Sequence, residues 1–421
     1  MCYYIVRLIK YLPEEVKIVS VLNNPLTFES VVIPNRIVFQ PMEGCDCQTD
    51  GRPGPLTVAK YENAARSGCG LIWMEANAVC PEGRTNPGQM MLTRENLPDF
   101  KAFVASLRKI AEEECGIKPV IILQLTHSGR QSIKPMIAYR HPIYEETRPV
   151  TDENIVSDEY LASLPEKYVA SALLAIEAGF DGVDVKSCHG YLFQELLSAF
   201  NRPGNYGGSF ENRIRLYLDS VKAVKAAVPS DFLVVTRLGV ADMVPKPYGF
   251  GTTEDNELDL TESDMLIEKL MEAGIRMLNV TIGNPYYNPH INRPFRAGAY
   301  TPPETPDKGL ARFIEVESHL KERFPELTVI GSGLSYYRQD LMEKSEWMVE
   351  NGVCDLVGYG RGSIAYPMFY RDWLAGKFDV KKCCVSCSKC TALMRNKCVS
   401  GCAVFNEYYK ELYKEKVACK K

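Results

Sequence analysis

The sequence predicts an α/β protein: a (β/α)8 barrel of the TIM type with a short C-terminal cysteine-rich extension. Three observations carry that expectation. Short apolar, β-rich runs alternate with stretches of helical periodicity along most of the chain. Several of those runs are apolar throughout, as strands covered on both faces are. Glycine- and proline-rich loops, at 50–55, 201–208, 244–251 and 283–306, follow the strands, where a parallel barrel keeps its active site.

The elements follow in order. Strands are expected at Arg36–Gln40, Leu71–Ala76, Val120–Leu125, Gly182–Lys186, Phe232–Leu238, Met277–Thr281, Thr328–Gly331 and Leu356–Tyr359. Helices are expected near 56–67, 96–114, 158–178, 211–228, 262–273, 307–323 and 337–351. Eight strands with intervening helices are the signature of the barrel. A doubly wound sheet is the main competitor and would usually place G-x-G-x-x-G after its first strand. That segment reads Pro41-Met42-Glu43-Gly44-Cys45-Asp46 instead. The pattern divides the chain into an N-terminal extension (1–23), a barrel (24–375) and a cysteine-rich segment closed by a Lys-rich helix, Glu407–Lys416 (376–421).

Composition narrows the class. The 421 residues are 46% hydrophobic and 24% charged, which excludes a disordered chain. The net charge of −4 gives no nucleic-acid footprint. No apolar run reaches the roughly 18 residues of a membrane span. The first 13 residues lack the n-region and cleavage site of a signal peptide, so a cytoplasmic location is expected. Cysteine is the unusual count: 15 in all, seven of them between Cys383 and Cys419. Clustered thiols in a reducing compartment more often bind metal than form disulfides.

The loops after the seventh and eighth strands read Ile330-Gly331-Ser332-Gly333 and Gly358-Tyr359-Gly360-Arg361-Gly362. In a barrel these two loops commonly form a phosphate site, with glycines admitting backbone N–H groups and an arginine binding bidentately. The fourth strand ends in Asp184-Val185-Lys186-Ser187-Cys188-His189-Gly190-Tyr191, which puts His189 and Tyr191 at the catalytic end. Pro41-Met42, Glu75-Ala76, Gln124 through Arg130, His189-Gly190-Tyr191, Tyr206 through Arg213, Arg237 and Gly360-Arg361 occur in that order. The set resembles the old yellow enzyme family of FMN-dependent ene-reductases (NADH:flavin oxidoreductases), over about residues 24–374.

The resemblance implies an FMN site and an active site. Pro41, Met42, Glu43 and Ala76 would lie against the isoalloxazine, and Gln124 would bond its pyrimidine edge. Arg237 would face the N1/C2 carbonyl, where charge collects on reduction. Gly331, Ser332, Gly333, Gly360 and Arg361 would hold the phosphate. Tyr191 matches the family's proton donor, and His189 one of the pair that binds the substrate carbonyl. Two positions depart from the pattern. Lys186 stands where the family usually has a histidine; its ammonium can polarise a carbonyl, pair with Asp184 or Glu43, or point at the flavin. Glu43 stands where a small or thiol residue is usual, and a carboxylate there opposes anionic reduced flavin unless it turns away into a salt bridge.

In the cysteine-rich segment, Cys384-x2-Cys387-x2-Cys390-x11-Cys402 resembles the iron–sulfur branch of that family, the branch of 2,4-dienoyl-CoA reductase and trimethylamine dehydrogenase. Three thiolates in a short arc and one distant thiolate suit a [4Fe–4S] cubane. Zinc, which prefers two separated C-x2-C pairs, and free thiols are the alternatives. Cys383 is a rival first ligand and Cys398 a rival fourth, while Lys381, Lys382, Lys389, Arg395 and Lys397 could offset the cluster's charge. That branch continues into nucleotide-binding domains, whereas this sequence ends at Lys421. NAD(P)H is therefore expected to reduce FMN directly, or a separate flavoprotein or ferredoxin to deliver electrons through the cluster. The expected substrate is a small molecule with an activated C=C bond; enones, enoates, enoyl-CoA thioesters and steroids all fit. An oxidative dehydrogenase or demethylase and an electron-transfer flavoprotein are the rival readings. No nucleic-acid or membrane partner is expected, and a homo-oligomer is compatible with the sequence.

Overall fold

The computed structural model describes residues 20–420 apart from Thr147, Arg296, Ala297 and Ala299. The expectation of no signal peptide, and residues 1–19 of the N-terminal extension, lie outside the described residues. Eight strands, Ile37–Phe39, Leu71–Ala78, Val120–Thr126, Gly182–Val185, Leu233–Ala241, Met277–Ile282, Thr328–Gly331 and Leu356–Tyr359, close into one barrel. Neighbours run parallel throughout, and the eighth strand pairs the first through Val357 and Ile37. Every strand expected from the sequence is present, with ends shifted by at most three residues.

The strand starts fill the barrel interior with Val38, Leu71, Trp73, Ile122, Val235 and Leu356, all fully buried. A short antiparallel hairpin, Leu26–Phe28 with Val31–Ile33, adds Phe28 and Ile33 to that cluster. The hairpin was not foreseen, because two three-residue strands carry too little periodicity to register. The seven expected helices are Pro55–Arg66, Leu97–Cys115, Asp158–Ala178, Phe210–Ala227, Thr261–Glu272, Pro306–Arg323 and Leu341–Glu350. Their starts obey cap chemistry: Ser157 accepts from Tyr160 N at 3.2 Å and Ser209 from Asn212 N at 3.4 Å. The last of them starts later than expected because Leu334–Tyr336 and Arg338–Asp340 are 3-10 turns. Short helices at Leu192–Leu197, Arg361–Ala365, Phe369–Leu374 and Lys389–Arg395 were also not foreseen, and the terminal helix is Glu407–Lys416.

The cysteine-rich segment packs on the loop side of the barrel. Ser400 N donates to Gly44 O, in the loop after the first strand, at 2.7 Å. Arg395 donates to Pro285 O, in the loop after the sixth, at 3.2 Å. Leu393, Ala403, Tyr409 and Val417 form the segment's own small core, against Leu56 of the first barrel helix. Among the described residues no helix is long and apolar enough to cross a membrane.

Candidate active site

A cavity of about 810 Å³ opens at the C-terminal ends of the strands. Of the residues singled out from the sequence, Pro41, Met42, Glu43, Ala76, Gln124, Lys186, His189, Tyr191, Arg237, Ser332, Gly333, Gly360 and Arg361 all line it. Gly331 does not. It lies in the seventh strand, and a Cβ there would point at Cys354 and Glu317, 2.9 and 3.0 Å away.

The wall is positioned from below by buried polar groups. Asp184 is fully buried and accepts from Trp73 Nε1 at 2.8 Å, Gln124 Nε2 at 2.6 Å and the Arg237 backbone N–H at 2.8 Å. With its amide nitrogen held there, Gln124 has its carbonyl oxygen free to accept. Burial pushes the Asp184 carboxyl up to about 6, against those three donors. In the second strand the register shifts between Trp73 and Ala76, a bulge of the kind that re-aims side chains beside active sites. Gly358 has to be glycine: a Cβ would sit 2.0 Å from Gln40 Nε2, which is held by Asn279 and Ser332.

The chemistry-bearing groups meet around Tyr191. Its hydroxyl donates to Glu43 Oε2 at 3.2 Å and lies 3.3 Å from the Tyr286 hydroxyl. Burial, then Glu43, hold the Tyr191 phenol well above the usual tyrosine range. Lys186 Nζ stands 3.9 Å from the centre of the Tyr191 ring. Of its foreseen partners, the Asp184 oxygens are taken, and no ion pair joins it to Glu43 among the described residues. Burial lowers the Lys186 ammonium, against the pull of Cys188 and Glu43. Glu43 forms no salt bridge either; Thr85 donates to it at 2.8 Å and Asn86 at 3.4 Å. His189 is held at φ 67°, a left-handed conformation that costs a non-glycine residue about 1–3 kcal/mol. Its Nε2 is buried without a partner, and burial followed by Arg237 and Lys186 keeps the imidazole neutral.

These groups fit a flavin phosphate ester. Arg237 Nε and Arg361 Nη1 are buried and unpartnered, and the glycines after the eighth strand leave room for close approach. Arg361 Nη2 is anchored on Pro294 O at 2.9 Å. By contrast, several residues that made the motif recognisable are scaffold. Arg130 forms a buried ion pair with Glu195, and Arg213 one with Glu262 beneath the cap of Phe210–Ala227. Asp46, Cys47 and Glu75 converge within metal-binding range. Lys60 already occupies that site, 2.7 Å from Glu75 and 3.5 Å from Asp46.

A second, much smaller void is bordered by Cys384, Cys387, Cys390 and Cys402. Ser386 and Ser388, at φ 52° and 58°, wind the loop on both sides of Cys387, and their buried hydroxyls have no partner. The rivals lie elsewhere: Cys383 is packed in the main core, and Cys398 faces the large cavity. Lys389 borders the thiol void, but Arg395 and Lys397 line the large cavity instead. The residues that the sequence reading missed are that roof, from Thr391 to Val399, together with Arg148 and Arg293. Among the neighbours of Tyr191, Tyr286 comes from the glycine- and proline-rich loop 283–306, one of the loops that follow strands where a parallel barrel keeps its active site.

Comparison with known proteins agrees with this architecture. The chain is 27% identical over 366 residues to NADH oxidase of Thermoanaerobacter brockii, which covers 85% of this chain and 51% of that protein. It is 27% identical over 406 residues to cinnamate reductase of Clostridium sporogenes, 91% of this chain and 57% of that one. The chain thus spans little more than half the length of both relatives. The structure of the old yellow enzyme homologue of Zymomonas mobilis superposes with a TM-score of 0.64 at 21% identity, over 84% of this chain and 92% of that one. The sequence profile of the NADH:flavin oxidoreductase / NADH oxidase family matches residues 21–373, nearly the whole barrel, and the chain belongs to that family of flavin enzymes.

Proposed function

We propose that this chain is an FMN-dependent ene-reductase acting on an α,β-unsaturated carbonyl compound. The observation that carries the reading is Tyr191: a buried, protonated phenol in the same cavity as Gln124, Arg237 and Arg361, with Lys186 and His189 beside it. Bound FMN would supply the hydride that reaches the substrate β-carbon. Tyr191 gives its proton to the α-carbon, and its raised pKa means that it carries that proton at neutral pH. His189 and Lys186 hold the carbonyl oxygen, where charge develops in the transition state. Arg237, whose guanidinium forms no salt bridge among the described residues, would face the flavin pyrimidine and stabilise its reduced form. The likeness to a protein named cinnamate reductase supports the reductive direction.

Cys384, Cys387, Cys390 and Cys402 would hold a [4Fe–4S] cluster. Among the described residues no three of these sulfurs converge within 4.8 Å. The spacing, three thiols in a short arc and one distant, rather than two separated C-x2-C pairs, supports the cluster over zinc. Arg361 borders both voids, which supports the cluster as an electron inlet beside the flavin; NAD(P)H or a donor protein is the source.

The test is single-turnover kinetics on anaerobically purified protein. Acid precipitation should release FMN. Tyr191→Phe should slow reoxidation of the reduced flavin by an enone about 10²–10⁴-fold and leave its reduction nearly unchanged. Recovery of FAD, of no flavin, or of wild-type reoxidation in Tyr191→Phe would remove the reading.

A further inference from the structure

Glu43 puts a carboxylate where the family usually has a small or thiol residue. Beside a flavin that becomes anionic on reduction, that charge is a cost. A salt bridge would offset it, and Glu43 has none among the described residues. Its two oxygens instead face two different places. Oε2 accepts from the Tyr191 hydroxyl at 3.2 Å. Oε1 accepts from Thr85 Oγ1 at 2.8 Å and from Asn86 Nδ2 at 3.4 Å. Tyr191 is 4% exposed, whereas Thr85 and Asn86 are half-buried and precede exposed Pro87 on the cavity wall. The carboxylate therefore bridges the buried phenol and the rim.

On the proposed function, Tyr191 gives up its proton once per turnover. The phenolate left behind is buried, and burial and Glu43 both oppose its charge. It has to regain a proton before the next turnover. Besides Glu43, the Tyr286 hydroxyl lies 3.3 Å from the Tyr191 hydroxyl. Tyr286 is a poor source: burial and Glu43 raise its phenol too, so its proton would exchange one buried phenolate for another. Glu43 differs in having a second oxygen hydrogen-bonded to a hydroxyl at the rim. A carboxyl and a hydroxyl in series can carry a proton inward from water. Asn86 Nδ2 steadies that path by donating to Thr85 Oγ1 at 2.8 Å. Lys186 Nζ, 3.9 Å from the centre of the Tyr191 ring, stands beside the phenolate while it lasts.

We propose that Glu43 is the proton relay that restores Tyr191, taking a proton from water through Thr85 and passing it to the phenolate. The proposal rests on the ene-reductase reading and adds the return of the proton to it. The hydride that bound FMN supplies forms the C–H bond at the β-carbon. The Tyr191 O–H bond breaks as the α-carbon gains its proton. Tyr191 and Glu43 are then both anions, with oxygens that stood 3.2 Å apart, and their repulsion raises the proton affinity of each. Glu43 Oε1 takes a proton at the rim, and a half-turn of the carboxyl brings it to the Tyr191 oxygen. The phenol and the carboxylate are both regenerated. Each turnover draws one proton from solvent for the new α C–H bond, and the flavin is oxidised by two electrons. Glu43 acts through Tyr191, as a positioning residue for its proton.

The test follows successive turnovers of the holoprotein by rapid quench, with dithionite in excess. The probe is 2-cyclohexenone or 4-phenyl-3-buten-2-one, whichever reoxidises the flavin faster. In the wild type, later turnovers should keep pace with the first. In Glu43→Gln, product equal to the bound flavin should form in a burst, and later turnovers should lag that burst about 10²-fold, the lower end of what a positioned proton carrier contributes. Removing the carboxylate eases flavin reduction, so re-reduction does not produce the lag. Formate at fixed pH should speed the later turnovers of Glu43→Ala in proportion to its concentration, and Glu43→Asp should lag less than Glu43→Gln. A residue that only orients Tyr191 gives neither rescue. Absence of the burst in Glu43→Gln, or a lag in Glu43→Ala that formate leaves unchanged, would overturn the relay while the ene-reductase reading stands. If neither enone reoxidises the wild-type flavin, both fall.

Discussion

The two voids at the mouth of the barrel are built in opposite ways. The large cavity gathers side chains from the ends of most strands and from the roof, so its parts lie hundreds of residues apart, from Gln40 to Val399. The thiol void draws its four cysteines from a stretch of 19 residues, Cys384 to Cys402. A site of the first kind survives local damage, because the barrel core holds each wall residue independently. A site of the second kind rests on its own ligands, and among the described residues its segment's own core is small: Leu393, Ala403, Tyr409 and Val417.

The contrast predicts its largest effect at the cysteines. Cys390→Ala should abolish iron–sulfur absorbance altogether, with FMN still bound in the barrel, while Cys383→Ala and Cys398→Ala keep it. Iron analysis and visible spectra of anaerobically purified variants decide. Loss of FMN along with the cluster would mean that the two sites are one cooperative unit. Metal binding is folding energy for such a segment, so limited proteolysis of Cys390→Ala should cut preferentially between 380 and 410.

The barrel should respond in the opposite sense. Arg130 and Glu195 are 1% and 0% exposed, and neither side chain of the pair lines the cavity. Glu195→Gln leaves a buried guanidinium without its counter-charge, which costs about 3–5 kcal/mol. Denaturant unfolding should show that loss in the midpoint, while the flavin spectrum of the folded fraction stays as in the wild type. A changed spectrum would move Glu195 from scaffold to site.

Arg361 sharpens the comparison, as the one residue among those described that borders both voids. Arg361→Ala should weaken FMN about 10- to 100-fold, the worth of a charge-assisted hydrogen bond, and should also alter the cluster's reduction behaviour. An effect on one site alone would separate them.

How much of this was legible in the sequence follows the same division. The eight strands could be read because strands covered on both faces are apolar throughout, and Thr328–Gly331 and Leu356–Tyr359 fall where expected. The clustering of the cysteines showed in their spacing, since neighbours in sequence are neighbours in space there, but the choice of these four over Cys383 and Cys398 came from the resemblance to the iron–sulfur branch. The phosphate loops, His189 and Tyr191 could be placed from their positions at strand ends; the rest of the cavity wall was legible only through the family resemblance, and that route does not separate wall from scaffold: Arg130 and Arg213 stand in the motif beside Gln124 and Tyr191. What stayed hidden needed long-range geometry. Arg395 and Lys397 sit among cysteines, where a basic residue reads as a counter-charge, yet the fold turns them into the wall of the large cavity. Lys186 could not be given a partner from the sequence, because only the packed site shows the Asp184 oxygens already engaged.

Asp184 yields the smallest effect and the finest test of how the cavity is supported. Its carboxyl is raised from an ordinary 3.8 to about 6 because burial outweighs three hydrogen bonds. A raised carboxyl binds its proton in the folded state before it does so unfolded. The stability it contributes is therefore full below about 3.8 and is lost as pH rises through about 6. Between pH 5 and 6 the wild type should lose about 1 kcal/mol relative to Asp184→Asn, which has no proton to release. Paired unfolding curves at the two pH values measure the difference directly. The same proton reaches the site: protonated Asp184 puts a hydroxyl among donors that need an acceptor, and Gln124 Nε2 is one of them. Flavin affinity should then weaken below pH 6 in the wild type and stay flat in Asp184→Asn. A stability difference that does not change with pH would mean that the three donors hold Asp184 ionised throughout, and that Gln124 is fixed by a permanent charge rather than a titrating one.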